Sequence, residues 1–180
     1  MKQVKVHDKT FDLYIPHEKI CSVVEEMADK MNEELTEDNP LFLCILNGSF
    51  MFAAELFKRI DLVETEISFV KLASYEGDKT TGKVKQLIGL NENIEGRTVI
   101  VLEDIVDTGI TIMNILDQLE KLNPKKVKIA TLLLKPDSLQ KEVQLDYVGL
   151  EIPNDFIVGF GLDYDGYGRN LIDIYTVNNE

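Results

Sequence analysis

The chain has 180 residues, 44% of them apolar and 28% charged, and carries a net charge of −13. That length suits one domain with a full-sized core, and no apolar run reaches the ~18–20 residues needed to cross a bilayer. Acidic residues are spread along the whole chain, which argues against nucleic acid as a partner, because affinity there comes largely from basic neutralisation of phosphates.

The first stretch, MKQVKVHDKTFDLYIP, lacks the apolar segment of a signal peptide, so a cytoplasmic protein is expected. Residues 16–36 predict a helix, with Ile20, Val23, Val24, Met27 and Met31 on one stripe. LFLCIL (41–46) is a short continuous apolar run, the pattern of a strand covered on both faces. NGS interrupts it, and FMFAAELFKRI continues as a helix with Ser49 as a candidate N-cap. EISFVKLA reads as a strand, SYEGDKTTGK (74–83) as a polar loop and VKQLIGL (84–90) as a returning strand. TVIVLED (strand), GITIMNILDQLEKL (helix), VKIATLLLK (strand), FIVGFGLD (strand) and LIDIYTV (171–177) complete the chain. Strands alternating with helices indicate an α/β fold with a mostly parallel sheet under helical cover. There is no repeat or linker, so residues 1–180 are expected to form one domain, with the N- and C-terminal pieces as a small cap over one edge.

Cys21 and Cys44 both lie in apolar contexts, as reduced, buried thiols do. With only His7 and His17, the chain has too few soft ligands for a zinc site. GDKTTGKV (77–84) resembles a P-loop but has Val84 where a hydroxyl would meet magnesium, and a strand pattern follows it. GFG (159–161) lacks the third glycine and the helix of a dinucleotide fingerprint.

The informative stretch is TVIVLEDIVDTGITI (98–112), where a core strand runs into three acids. In an open α/β sheet, ligands bind beyond the carboxyl ends of the strands. The strand therefore delivers Glu103 and Asp104 to that edge, where they can face hydroxyls or a divalent cation such as magnesium. Asp107-Thr108-Gly109-Ile110-Thr111 then turns into a helix, and the free amides of its first turn attract an anion. A sugar phosphate satisfies both halves. A bare acidic N-cap would need only one acid.

VIVLEDIVDTGIT (99–111) resembles the 5-phosphoribosyl-1-pyrophosphate (PRPP) motif of the type I phosphoribosyltransferases. LNGS (46–49), KLASYEGDKTTGKV (71–84), LLLKP (132–136) and DFIVGFGLDYDGYGRNL (155–171) extend the likeness, in order, to the hypoxanthine-guanine branch of that family. The resemblance implies the type I fold, with a hood from about 1–15 and 150–180 and a mobile loop over 73–84 that includes Ser74 and Tyr75. It implies that Glu103 and Asp104 contact the ribose hydroxyls and the magnesium shell, and that Asp107 through Thr111 hold the 5-phosphate. Asp107 would also lie near the purine N7 as acid/base. Lys135 would donate to the 6-oxo group, Phe156 would stack on the base, the Ile157 backbone would read its edge, and Asp163 would bind a second magnesium. Arg169 and the Leu46-Asn47-Gly48 turn would contact pyrophosphate, with a Leu46–Asn47 peptide that is cis in some members. Many relatives carry lysine where Asn47 stands, so here the backbone amides of that turn must carry more of the anion binding.

Some of this also follows from the residues themselves. Lys135 ends an apolar strand just before a proline, at the sheet edge that holds Glu103. It is either a snorkelling strand terminus or a donor whose preference for a 6-oxo group would reject adenine. The expected reaction is transfer of the phosphoribosyl group from PRPP to N9 of hypoxanthine or guanine, in a homodimer or homotetramer. The alternatives are a PRPP-sensing regulator without catalysis, or a phosphoribosyltransferase for another base such as xanthine.

Overall fold

Alternation in the apolar runs decides how the sheet is covered. In the computed structural model, which describes residues 2–75 and 84–178, the elements are β1 (Gln3–Val6), β2 (Lys9–Ile15), α1 (His17–Glu34), β3 (Leu41–Leu46), α2 (Phe50–Phe57), β4 (Glu66–Tyr75), β5 (Val84–Ile88), β6 (Thr98–Val106), α3 (Ile110–Leu119), β7 (Lys126–Leu134), β8 (Tyr147–Glu151), β9 (Ile157–Val158) and β10 (Ile174–Val177). The larger sheet has the order β5-β4-β3-β6-β7-β8. All its pairings are parallel except the β4–β5 edge. Phe42 and Cys44 of β3 face the core formed with α1 and α2, whereas Leu41, Leu43 and Ile45 face the core formed with α3. A strand covered on both sides has no polar face, which is why LFLCIL is uninterrupted.

The predicted stripe on α1 is buried in full, together with Ala28. The parallel strands bring the carboxyl ends of β3, β6 and β7 to one edge, in the register Leu46↔Lys71, Glu103↔Thr131 and Val106↔Leu134. No described helix is long and apolar enough to cross a membrane.

A second sheet, β1-β2-β10-β9, joins the two ends of the chain. Its inward residues Ile15, Ile157 and Ile174 enter the α1/α2 core, and Val6, Phe11, Val158 and Tyr175 form a small cluster of their own. Asp173 fastens this sheet to α1: its carboxylate accepts hydrogen bonds from Lys2 Nζ (2.6 Å), the His17 backbone N–H (2.9 Å) and the Tyr175 hydroxyl (3.1 Å).

Several expectations are corrected. FIVGFGLD is not one strand: Gly159, Phe160 and Gly161 have φ of +103°, +48° and +97°, and the extended segment stops at Val158. Ser49 occupies the N-cap position of α2, as expected, but its side chain makes no capping bond; its hydroxyl donates to the Ile45 carbonyl at 2.5 Å and meets Cys44 Sγ at 3.1 Å. α2 ends at Phe57 rather than Ile60. β4 continues through Ser74 and Tyr75, which pair with Lys85 and Val84, so these two residues are strand where a loop is expected. The rest of that loop, and most of the P-loop look-alike, lie outside the described residues. Cys44 is buried, and burial pushes its thiol up to about 11; Cys21 is only half-buried.

Candidate active site

β6 sets the centre of the site by its length. Its apolar residues through Leu102 are sealed in the core, and the next two residues are acids. Glu103 is buried, and its Oε2 has no hydrogen-bond partner. Burial and then the neighbouring Asp104 charge push the Glu103 carboxyl well above the usual range. Asp104 accepts a hydrogen bond from the Ile105 N–H at 3.0 Å, yet burial still raises it to about 6. Among the described residues neither acid forms an ion pair. An ionised carboxylate without a partner is costly to bury, so this pair is set up to receive cations or hydroxyl donors.

The β3–α2 turn closes directly over Asp104. The Leu46–Asn47 peptide is cis, and a Cβ placed on Gly48 would lie 1.7 Å from Asp104 Oδ2. Glycine is therefore required for the turn to approach the carboxylate. The Gly48 carbonyl in turn abuts Gly161, where an added Cβ would lie 2.0 Å from the oxygen. Arg169 Nη1 donates to the Gly161 carbonyl at 2.6 Å, while Nη2 pairs with Asp163 Oδ1 at 2.6 Å. Asp163 Oδ2 accepts the Gly166 N–H at 2.6 Å. The sequence-predicted residues Leu46, Asn47, Gly48, Asp104, Asp163 and Arg169 thus come together through successive contacts.

Gly109 turns β6 into α3 with φ +77°, and a side chain there would collide with Val143 Cγ2 at 2.9 Å. The helix start has no side-chain cap, and among the described residues its first-turn amides have one contact, a long one from the Ile110 N–H to Thr108 Oγ1 at 3.4 Å. Asp107, Thr108 and Thr111 ring this cradle, and Ile110 is partly exposed at its rim. Lys135 follows β7 and is buried; its backbone N–H donates to the Val106 carbonyl at 2.9 Å. Lys135 Nζ lies 3.6 Å from Asp107 Oδ2 and 3.5 Å from Asn154 Oδ1. Its burial beside a single half-exposed carboxylate favours a donor role over a snorkelling terminus.

Phe156 is 43% exposed, whereas Ile157 is buried. Ile157 belongs to the smaller sheet, Phe156 precedes it and accepts the Val177 N–H through its carbonyl at 2.9 Å, and Asn154, two residues before Phe156, reaches Lys135 just past β7. Asn154 and the aromatic surroundings of Phe156 were not foreseen, because both depend on contacts between segments far apart in sequence. Ser74 and Tyr75 lie beyond the paired end of β3, at the last positions of β4.

For magnesium, the donor set fits. Glu103 and Asp104 supply hard oxygens with uncompensated charge, and magnesium commonly takes one or two carboxylates and completes its shell with water and phosphate oxygens. Among the described residues, no three His, Cys, Asp or Glu side chains converge on one point.

An acid pair at a parallel strand end, followed by a phosphate cradle on the next helix, is the architecture of a phosphoribosyl-binding fold. The phosphoribosyl transferase domain family matches residues 13–165, and the chain belongs to the phosphoribosyltransferase family. Within it, the chain is 43% identical over 164 residues, 91% of each chain, to a hypoxanthine-guanine phosphoribosyltransferase of Streptococcus thermophilus. It is 46% identical over 162 residues, 89% of each chain, to the Streptococcus pyogenes enzyme of that name. A hypoxanthine phosphoribosyltransferase of Staphylococcus aureus has the same fold, with a TM-score of 0.85 and 33% identity over 93% of this chain and 91% of that one.

Proposed function

We propose that this protein transfers the 5-phosphoribosyl group of PRPP to N9 of a 6-oxopurine, hypoxanthine or guanine, giving the nucleotide and pyrophosphate in purine salvage. The observation that carries this reading is the unpaired Glu103–Asp104 pair lying under the Gly48 turn, one step from the Asp107–Thr111 cradle. No core requires that arrangement.

Asp107 through Thr111 would bind the 5-phosphate through backbone amides and hydroxyls. Glu103 and Asp104 would hold the ribose hydroxyls and one magnesium. Asp163, whose oxygens engage Arg169 and Gly166, would contribute to a second. When bound, magnesium would neutralise charge on the pyrophosphate. Arg169 and the Leu46-Asn47-Gly48 turn would orient that group. Lys135 would donate to the purine 6-oxo group, which rejects a 6-amino base. Phe156 would stack on the base, and the Ile157 backbone would read its edge. As N9 bonds to C1 and the C1–oxygen bond breaks, Asp107 would take the N7 proton. The segment beyond Ser74 and Tyr75 would exclude water, which would otherwise capture the activated ribose.

The reading extends to a cytoplasmic protein of one domain, with the terminal sheet as hood, working as a homodimer or homotetramer. The test is an assay of pyrophosphate release with PRPP, magnesium and each nucleobase in turn. Release with hypoxanthine or guanine and none with adenine is the expected result. No release with any base would favour the regulator, and release with xanthine alone would move the assignment to another base.

A further inference from the structure

The chain's first turn grips the ring that the proposed reading assigns to base stacking. His7 and Asp8 connect β1 to β2, with Val6 paired to Lys9 and His7 at φ +53°. Each residue of His7-Asp8-Lys9 holds an aromatic side chain from the far end of the sequence. The His7 ring stands edge-on to Tyr167, with centroids 4.2 Å apart at 82°. Asp8 Oδ1 accepts the Tyr164 hydroxyl at 2.9 Å. Lys9 Nζ lies 4.8 Å from the Tyr164 ring centre and 5.3 Å from that of Phe156.

Phe156 is thereby surrounded on its protein side. Tyr164 meets it nearly at right angles, 5.7 Å away at 83°. Phe11, fully buried, backs it at 6.2 Å. Among the described residues Lys9 forms no ion pair; the Asp8 carboxylate feels its charge from the same turn, and the two rings are the groups its ammonium lies over. An ammonium within ~6 Å of an aromatic centroid is attracted to the ring's negative face. Phe156 immediately precedes the two-residue strand β9 and has 43% of its surface open.

We infer that Lys9 is a positioning residue for the base: its ammonium locks Phe156 against Tyr164 so that the open part of the ring forms a preset platform for the purine. This rests on the reading of Phe156 as the stacking residue. Ordering a side chain before the ligand arrives lowers the cost of binding, so the effect should fall on the base and not on PRPP, which docks at the other sheet. Asp8, by holding Tyr164, steadies the residue next to Asp163 and completes the clasp.

Steady-state kinetics on Lys9→Met, Lys9→Arg, Phe156→Leu and the Lys9→Met/Phe156→Leu pair test this. Lys9→Met should raise the KM for hypoxanthine about three- to five-fold, in line with a partly exposed cation–π contact. The KM for PRPP, kcat and the unfolding midpoint should stay as in the parent, and Lys9→Arg should restore the base KM. In the Phe156→Leu background, Lys9→Met should have no further effect. An unchanged base KM in Lys9→Met, equal rises for both substrates, or the same fold-change in the Phe156→Leu background would overturn the inference while leaving the stacking reading in place. A Phe156→Leu enzyme with unaltered base KM would reject the stacking reading and the role of Lys9 with it.

Discussion

The two ends of the larger sheet treat carboxylates in opposite ways. At the end where β3 and β6 begin, Asp38 is paired with Lys125 at 2.7 Å and Lys126 at 2.6 Å, and those contacts hold its carboxyl at about 2. Arg97 nearby pairs with Glu66 at 2.8 Å and donates to Asn39. Where the same strands finish, buried Glu103 and half-buried Asp104 form no ion pair among the described residues, and both are pushed up. One end uses its acids to fasten strand ends; at the other, Glu103 and Asp104 stay without an ion pair among the described residues, while Asp107 just beyond them meets Lys135 at 3.6 Å. Unsatisfied charge that folding alone would not retain marks the functional end.

The largest effect that can break this contrast lies at Asp107. Asp107→Asn should lower kcat by about 100-fold or more, the scale of general acid–base catalysis, while PRPP affinity stays within a factor of about three. Pre-steady-state and calorimetric measurements separate the two, and unchanged turnover would remove Asp107 from proton transfer. Next is Lys135→Ala, which should cut discrimination between hypoxanthine and adenine by roughly 10- to 100-fold, because a buried donor is lost. Competition between the two bases reads this directly.

Smaller effects in stability should have opposite signs at the two ends. Asp38 has its carboxyl lowered from 3.8 to about 2, so its contribution is present above pH 3.8 and is lost as the pH falls toward 2. Asp38→Asn should therefore cost about 1 kcal/mol at neutral pH, a modest figure for partly solvated pairs, and the gap should close in acid. Asp104 has its carboxyl raised from 3.8 to about 6, so its cost is absent below pH 3.8 and grows to its full size above pH 6. Asp104→Asn, in metal-free buffer, should gain up to about 1 kcal/mol at pH 8 and nothing at pH 3.5. Urea unfolding across pH 3–8 checks both, and slopes of the same sign would collapse the distinction between the ends.

Much of this was legible before any coordinates, for a local reason. The stretch from Thr98 to Thr111 contains a strand, its acids, a glycine and a helix start in one run, so sequence order is spatial order. The α1 stripe and the two-faced β3 followed from periodicity in the same way. What failed depended on distant partners. β1 and β8 are short, and the alternation of Phe11, Leu13 and Ile15 that could have signalled the longer β2 is weak beside polar neighbours. The run at 156–163 reads as a strand because its side chains are apolar, but Gly161 must turn to fit against Gly48, more than a hundred residues away. Ser49 stands at the N-cap its type suggests, but its hydroxyl turns back to Ile45 instead of the helix. The surroundings of Lys135 and Phe156 involve Asn154, Lys9 and Tyr164, which no spacing rule connects.

Calorimetric titration of PRPP with magnesium into the parent protein, Asp104→Asn and Asp38→Asn addresses the contrast most directly. Affinity at least tenfold weaker in Asp104→Asn, with Asp38→Asn binding as the parent does, is the predicted result. Equal affinity in all three proteins would contradict the assignment of the unpaired acids to the phosphoribosyl group.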